Sequence, residues 1–251
     1  MNKKDATSCR SIYNTVVCYP VPRLRPHPPV CACAVQPGNV LKEGRGKIMC
    51  LQETKWDEGL VEKVQKEWKG GIYTSNGTGT ARGVAILVPE QLKETVKLIY
   101  KEKAGRIIII DFQHNNENYR LINIHCPNIE GERKDFVRGL NKWVTNKTNC
   151  LIVGDFNICL TRLDSAKNNT YKNDTSRTEL NKLMERNNLI DIWRNLNPFK
   201  LQYSSTWYSQ AVSHPGTNQA RHCLASEVRR DRAHSGWRGR KRQRPSLTAL
   251  F

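Results

Sequence analysis

Leu151-Ile152-Val153-Gly154-Asp155-Phe156-Asn157 is the stretch on which the fold turns. Three apolar residues run into a glycine, then a carboxylate, an aromatic ring and an amide. A short apolar run closed by turn residues reads as a buried strand. A second stretch has the same grammar: Ile48-Met49-Cys50-Leu51-Gln52 runs into Glu53-Thr54. A carboxylate at the C-terminal edge of a strand stands at the rim of a sheet, where open α/β sheets bind their ligands. Read singly, each motif is also ordinary turn chemistry, because Gly-Asp and Asp-x-Asn favour turns.

Outward from these two stretches, short strands alternate with amphipathic helices. Gly83–Val88, Arg106–Phe112 with its four consecutive isoleucines, and Arg120–His125 have the length and β-branched content of strands. Asp57–Trp68 reads as a helix with Leu60, Val61, Val64 and Trp68 on one face. Phe136, Val137, Leu140, Trp143 and Val144 mark a second helical face. Ser176-x-x-Glu179 reads as a capping box that opens a third helix, with Leu180, Leu183 and Met184 inward. No internal repeat is visible.

Composition narrows the class. The 251 residues are 38% hydrophobic and 25% charged, which fits neither a fibre nor a wholly disordered chain. No apolar run approaches the roughly 20 residues that cross a bilayer, so no membrane partner is expected. Lys and Arg number 41 against 23 Asp and Glu, a net charge of +18. Residues 1–46 carry +5, residues 47–209 carry +6 and residues 210–251 carry +7. A surplus of this size points to a polyanion, nucleic acid first, while the bland alternative is a pair of solvated tails. Nine cysteines, an odd number with no CxxC spacing, argue for a reducing compartment without a disulfide frame. Cys31 and Cys33 form a lone CxC, a weak zinc signal, and Cys50, Cys126, Cys150 and Cys159 lie in apolar runs. The apolar stretch from Ile12 to Val21 is broken by Asn14 and Pro20, unlike a secretory signal. The expected compartment is therefore nuclear or cytoplasmic, and the Asn-x-Thr sequons at Asn76, Asn146, Asn168 and Asn173 carry no weight.

Three segments are expected. Residues 1–46 read as a Pro/Arg-rich disordered or unrelated segment. Residues 47–209 read as the globular domain. Residues 210–251 read as a basic disordered tail, crowded with Arg229, Arg230, Arg232, Arg238, Arg240, Lys241, Arg242 and Arg244.

An ordered set of motifs narrows this further. Leu51-Gln52-Glu53-Thr54, Ala81-Arg82-Gly83-Val84-Ala85-Ile86, Ile124-His125-Cys126-Pro127-Asn128, Gly154-Asp155-Phe156-Asn157 and Ser205-Thr206-Trp207-Tyr208-Ser209 follow one another in the chain. In order and spacing they resemble the endonuclease/exonuclease/phosphatase superfamily. More narrowly, they resemble the apurinic-type endonuclease domain of non-LTR retrotransposon polyproteins. Asn187-Asn188-Leu189-Ile190-Asp191-Ile192-Trp193-Arg194 is similar to that subgroup as well. The resemblance covers about residues 47–209. It implies an α/β (α+β) four-layer sandwich of two mixed β-sheets with outer helices. It implies Mg2+-dependent cleavage of a phosphodiester, which in the retroelement subgroup nicks target DNA. By motif position, Glu53 would be the metal ligand, and Asp155 would orient or deprotonate the attacking water. Asn157 would hold that Asp and the scissile phosphate, and Thr206 would contact phosphate. His125 stands where the family usually has a phosphate-contacting Tyr; it can still donate a hydrogen bond, over a shorter reach.

The resemblance also shows what this text lacks. The family opens with a strand ending in a metal-holding Asn and closes with Ser-Arg-Ile-Asp-like and Ser-Asp-His motifs. None of these is legible before Ile48 or after Ser209. The change after Ser209 reads as a splice junction, a truncation or a frame shift, and the domain is expected to be incomplete at both ends with impaired catalysis. Three functions follow. The first is a retroelement-type DNA endonuclease. The second is an inactive remnant that binds nucleic acid non-specifically through basic tails, with Arg229, Arg230, Arg240, Lys241 and Arg242 on the phosphates. The third, a phosphoinositide phosphatase, has less support from the Asn187–Arg194 text.

Overall fold

A computed structural model describes residues 15–20, 31–32, 41, 46–77, 83–144, 149–164, 171, 173–196, 198–199 and 221–226. The order of elements explains why the central text reads as alternating strands and helices. β1 (Thr15–Pro20), β2 (Cys31–Ala32) and β3 (Lys47–Gln52) are followed by helix α1 (Glu58–Glu67), β4 (Gly71–Ser75) and β5 (Val84–Val88). A 3-10 turn at Glu90–Thr95 leads into β6 (Lys97–Lys101), β7 (Ile107–His114) and β8 (Glu117–His125). Helix α2 (Glu130–Leu140), β9 (Asn149–Asp155), helix α3 (Thr175–Asn187), β10 (Leu189–Asp191), the short helix α4 (Ile192–Leu196) and β11 (Arg221–Ser226) complete the described elements.

The strands form two sheets. The first has the order β2-β1-β3-β5-β4 and the second β10-β11-β9-β8-β7-β6. In the second sheet β8 and β9 run parallel, with His125 beside Asp155, and the other pairings are antiparallel.

The four isoleucines show how the layers are made. Successive strand residues face opposite sides of a sheet. Ile108 and Ile110 join Ile48, Cys50, Val84, Ile86, Leu121 and Val153 in the core between the sheets. Ile107 and Ile109 instead join Ile122, Ile124 and Ile152 under Val137 and Leu140 of α2 and Leu180 and Leu183 of α3. A strand covered on both faces needs no polar alternation, hence the unbroken apolar run. On the first sheet Met49, Leu51, Ala85 and Leu87 pack against Val64 and Trp68 on and just beyond α1. Helix, sheet, sheet and helices stack as the four-layer α/β sandwich that the motifs imply.

Two expectations are corrected. Disorder throughout residues 1–46 and 210–251 does not hold for β1, β2 and β11. β1 pairs antiparallel with β3, Val16 opposite Leu51, and β11 lies between β9 and β10, Cys223 opposite Val153. The β-branched and aromatic text of Thr15–Tyr19 suits a strand, and β11 fills an interior place in its sheet, where neighbours on both sides satisfy its backbone. β1 is a strand before Ile48, but it ends in Pro20 and not in a metal-holding Asn. It also runs the other way from β3, with Pro20 opposite Lys47, so its C-terminal end lies far from Glu53. The remaining residues of both segments lie outside the described residues.

The second correction concerns α3. Its N-cap is Asp174, whose carboxylate accepts from the Ser176 amide at 2.8 Å, and Ser176 lies buried inside the first turn. Asp174 is the stronger acceptor, and the Ser176 hydroxyl is already committed to Asp174 and Arg133.

Candidate active site

The space between the two sheets is apolar over most of its length and turns polar at one end. On β8 the inward positions run Leu121, Asn123, His125; on β9 they run Leu151, Val153, Asp155. On β3, Ile48 and Cys50 give way to Gln52. Asn123 is fully buried and joins the layers: it accepts from Gln52 Nε2 at 2.6 Å and donates to the Leu51 and Ala85 carbonyls at 3.0 and 2.9 Å. The C-terminal end of β3 is thereby fastened to β8 one step short of both Glu53 and His125.

Beyond that fastening the expected residues converge. Glu53 leaves β3 with a φ of 51°, and its Oε1 lies 3.4 Å from His125 Nε2. A positive φ is uncommon for a residue with a long side chain and costs on the order of 1–3 kcal/mol, which the surrounding structure must hold in place. The neighbouring Thr54 amide donates to the Gly83 carbonyl at 3.1 Å and fixes the turn. His125 is 4% exposed and Asp155 2% exposed, whereas the Glu53 side chain is 24% exposed. The site therefore offers one carboxylate to solvent and keeps the other inside.

Asp155 is presented by the strand end itself. Gly154 has a φ of 129°, and a Cβ there would stand 2.0 Å from the Ile124 carbonyl oxygen, so β9 approaches β8 this closely only with glycine. Asn157, also at positive φ (52°), donates its amide N–H to Asp155 Oδ1 at 3.0 Å and its Nδ2 to the Cys126 carbonyl at 2.8 Å. The Cys126 amide donates to the Asp155 carbonyl at 2.8 Å. Asn157 thus ties the loop after β8 to the loop after β9, and Asp155 sits between them. Burial pushes the Cys126 thiol well up, with the Asp155 carboxylate adding to the effect, so Cys126 is a neutral packing residue.

Sequence reasoning missed the residue that shapes the far wall. Arg133 of α2 is 7% exposed. It donates to the Pro127 and Asn128 carbonyls at 3.2 and 2.7 Å, to Ser176 Oγ at 2.8 Å and to Asp174 at 3.1 Å. One buried guanidinium therefore holds the loop that follows His125 against the start of α3. Burial raises the Asp174 carboxyl, but the Ser176 and Arg133 hydrogen bonds and charge outweigh it and leave the group below its ordinary range. An Arg amid apolar helix positions is the one signal that could have found it.

The donor set suits a hard cation that keeps most of its water. Among the described residues no three His, Cys, Asp or Glu side chains cluster as a closed cage would need. Mg2+ requires only one or two carboxylates and retains waters, and the partly exposed Glu53 carboxylate meets that demand. Thr206 and the cationic group Arg229, Arg230, Arg240, Lys241 and Arg242 lie outside the described residues, as does the Ala81-Arg82 pair.

Two face-to-face sheets, the first antiparallel and the second mixed, thus gather a carboxylate, an imidazole, a second carboxylate and an amide at one end. Residues 24–241 match the endonuclease/exonuclease/phosphatase family, and the chain belongs to it. The match reaches beyond residues 47–209 on both sides and takes in β2 and β11. The chain is 29% identical over 161 residues to an uncharacterized 149 kDa protein of transposon TX1 from Xenopus laevis, which agrees with the retroelement resemblance. That alignment covers 63% of this chain and 12% of the relative. In fold, the chain is similar to the APE2 catalytic domain of Xenopus laevis, with a TM-score of 0.59, 17% identity and coverage of 76% and 77% of the two chains. It is likewise similar to the 3′ phosphatase NExo from Neisseria bound to a product DNA hairpin, with a TM-score of 0.56, 19% identity and coverage of 75% and 79%.

Proposed function

We propose that the chain hydrolyses a phosphodiester of DNA with Mg2+, as a retroelement-type endonuclease. The observation that carries this reading is the convergence of Glu53, His125, Asp155 and Asn157 at one end of the interlayer space, in a chain of this family. A DNA hairpin in a neighbour of the same fold supports nucleic acid as the substrate.

In this reading Glu53 would hold the cation through its partly exposed carboxylate. A Mg2+ ion held there would supply positive charge beside a phosphoryl oxygen and offset the negative charge of hydrolysis. Asp155, buried and oriented by the Asn157 amide, receives the proton of the attacking water. Asn157, anchored on the Cys126 carbonyl, keeps Asp155 from turning away and places amide dipole beside the scissile phosphate. His125 donates a hydrogen bond to a phosphate oxygen. Thr206 adds a phosphate contact. Catalysis is slow for the family, because the text after Ser209 carries neither the Ser-Arg-Ile-Asp nor the Ser-Asp-His pattern. A nuclear or cytoplasmic location suits such a substrate, and no helix among the described residues is long and apolar enough to cross a membrane.

The Arg crowding at residues 229–244 supports a second reading, an inactive chain that holds nucleic acid through that segment. The test is cleavage of an end-labelled DNA duplex in Mg2+ by the chain and by Glu53→Gln, beside phosphate release from soluble inositol phosphates. DNA cleavage that falls at least about 100-fold in Glu53→Gln supports the endonuclease. Phosphate release with intact DNA would make the chain a phosphatase. DNA binding without cleavage, lost on deleting residues 229–244, would favour the second reading.

A further inference from the structure

The described loop that leaves the site after Asn157 carries two charged residues, Arg162 and Asp164, and only Asp164 is pinned. Asp164 accepts from the Thr161 amide and hydroxyl, both at 2.7 Å, and pairs with the Arg194 guanidinium. Arg177 of α3 donates to the Cys159 carbonyl at 2.6 Å and lies 3.9 Å from the centre of the Tyr171 ring. The Tyr171 hydroxyl donates to the Leu160 carbonyl at 3.3 Å, which locks the ring against the same loop. Arg162 alone is exposed, with its guanidinium 5.8 Å from the Tyr171 centre. Among the described residues it makes no ion pair and no hydrogen bond.

This arrangement is uneconomical for a solvated arginine. The carboxylate nearest in sequence, Asp164, is already neutralised by Arg194, so it does not offset the Arg162 charge. An aromatic ring under a guanidinium restricts it while leaving its N–H edges outward, and the ring is itself fixed by a second arginine and a backbone carbonyl. The ring contact biases where the guanidinium sits before any partner arrives, which lessens the ordering entropy lost on binding.

Position then names the partner. Arg162 is five residues beyond Asn157, so it lies at most about 17 Å from it along an extended chain. Phosphates on one DNA strand follow at about 3.4 Å along the axis. A duplex whose scissile phosphate sits at Asp155 and Asn157 places its flanking phosphates within that reach. We propose that Arg162, propped on Tyr171, contacts the phosphodiester backbone of duplex DNA beside the cleaved bond. This rests on the endonuclease reading for where the DNA lies, but it is read by binding and not by cleavage.

The test measures binding of a labelled duplex by the whole chain in EDTA, across a range of salt, for the parent and for Arg162→Ala, Arg162→Lys, Tyr171→Ala and Arg186→Ala. Arg186 is an exposed arginine near the end of α3 and controls for loss of one charge. One lost phosphate contact lowers the slope of log affinity against log salt by about 0.9 and weakens binding about eightfold at 0.1 M salt. Arg162→Ala is expected to show that change and Arg162→Lys to retain the parental slope. Tyr171→Ala is expected to weaken binding with the charge still present, and Arg186→Ala to match the parent. A parental slope in Arg162→Ala overturns the proposal, as does an equal loss in Arg186→Ala or a parent that does not bind duplex DNA. A parent that binds with the expected Arg162 dependence but never cleaves would sink the endonuclease and leave this contact standing.

Discussion

Replacing Asn123 by Ala isolates the polar fastening between the sheets. The side chain makes three hydrogen bonds at 2.6, 3.0 and 2.9 Å, all inside an apolar core. Its loss orphans the Gln52 amide, at about 1–3 kcal/mol, and removes one bond from each of two carbonyls, at about 1 kcal/mol apiece. The expected destabilisation is therefore about 3–5 kcal/mol. In a chain of this size a kilocalorie moves Tm by roughly 2–4 °C, so a fall of about 6–20 °C is expected. Gln52→Met keeps the length of that side chain and should cost less, because only Asn123 Oδ1 loses its partner. In thermal and urea unfolding the two variants should be less than additive in combination, with a coupling of about 1–2 kcal/mol. A loss below about 1 kcal/mol for Asn123→Ala, or full additivity, would refute the claim that these residues join the layers.

Other consequences follow from the same geometry. Gly154→Ala should destabilise by more than about 3 kcal/mol in chemical denaturation, because its Cβ meets backbone that can move only if β8 and β9 separate; a loss under 1 kcal/mol would count against the close approach. Arg133→Met should cost about 3–5 kcal/mol by leaving the Asp174 carboxylate without its cation, and a neutral effect in the same assay would mean the buried pair is dispensable. The Asp174 carboxyl is held below its ordinary value, so its ionised form stabilises the fold above the ordinary value near 3.9 and that contribution is lost as pH falls through the depressed value. The stability advantage of the parent over Asp174→Asn should accordingly be constant above about pH 5 and shrink in more acid solution; an advantage that grows with acid would reverse the sign of the argument.

The strands that carry the site were legible because burial on both faces leaves a mark in text. Ile107–Ile110 and Leu151–Val153 have no polar alternation, and the second run ends in Gly154-Asp155-Phe156-Asn157, which turns the chain. Glu53 and Asp155 were legible as strand-end carboxylates after apolar runs, whereas His125 and Asn157 stood out only through the resemblance to the family; the structure gathers all four. β11 was not legible. Its apolar content is confined to Cys223, Leu224 and Ala225, and its place between β9 and β10 is set by partners distant in sequence. Asn123 was hidden for a different reason. Within Leu121–Ile124 it looks like one polar step of an alternating strand, and only its side-chain bonds across the layers to β3 and β5 show that it faces inward. Arg133 shares a helix face with Val137 and Leu140 and Arg162 lies in a short turn; their partners make one a brace and leave the other exposed.

The central claim is that the residues at the polar end of the interlayer space perform hydrolysis, with Asp155 taking the proton of the attacking water. Nicking of supercoiled plasmid in Mg2+ by the whole chain, beside an Asp155→Asn variant of equal Tm, tests it most directly. Asp155→Asn keeps an oxygen acceptor for the Asn157 amide but cannot take a proton. The account predicts slow, Mg2+-dependent nicking by the parent and a fall of about 100-fold to 10,000-fold in the variant. Equal nicking by both, or none by either, would contradict it.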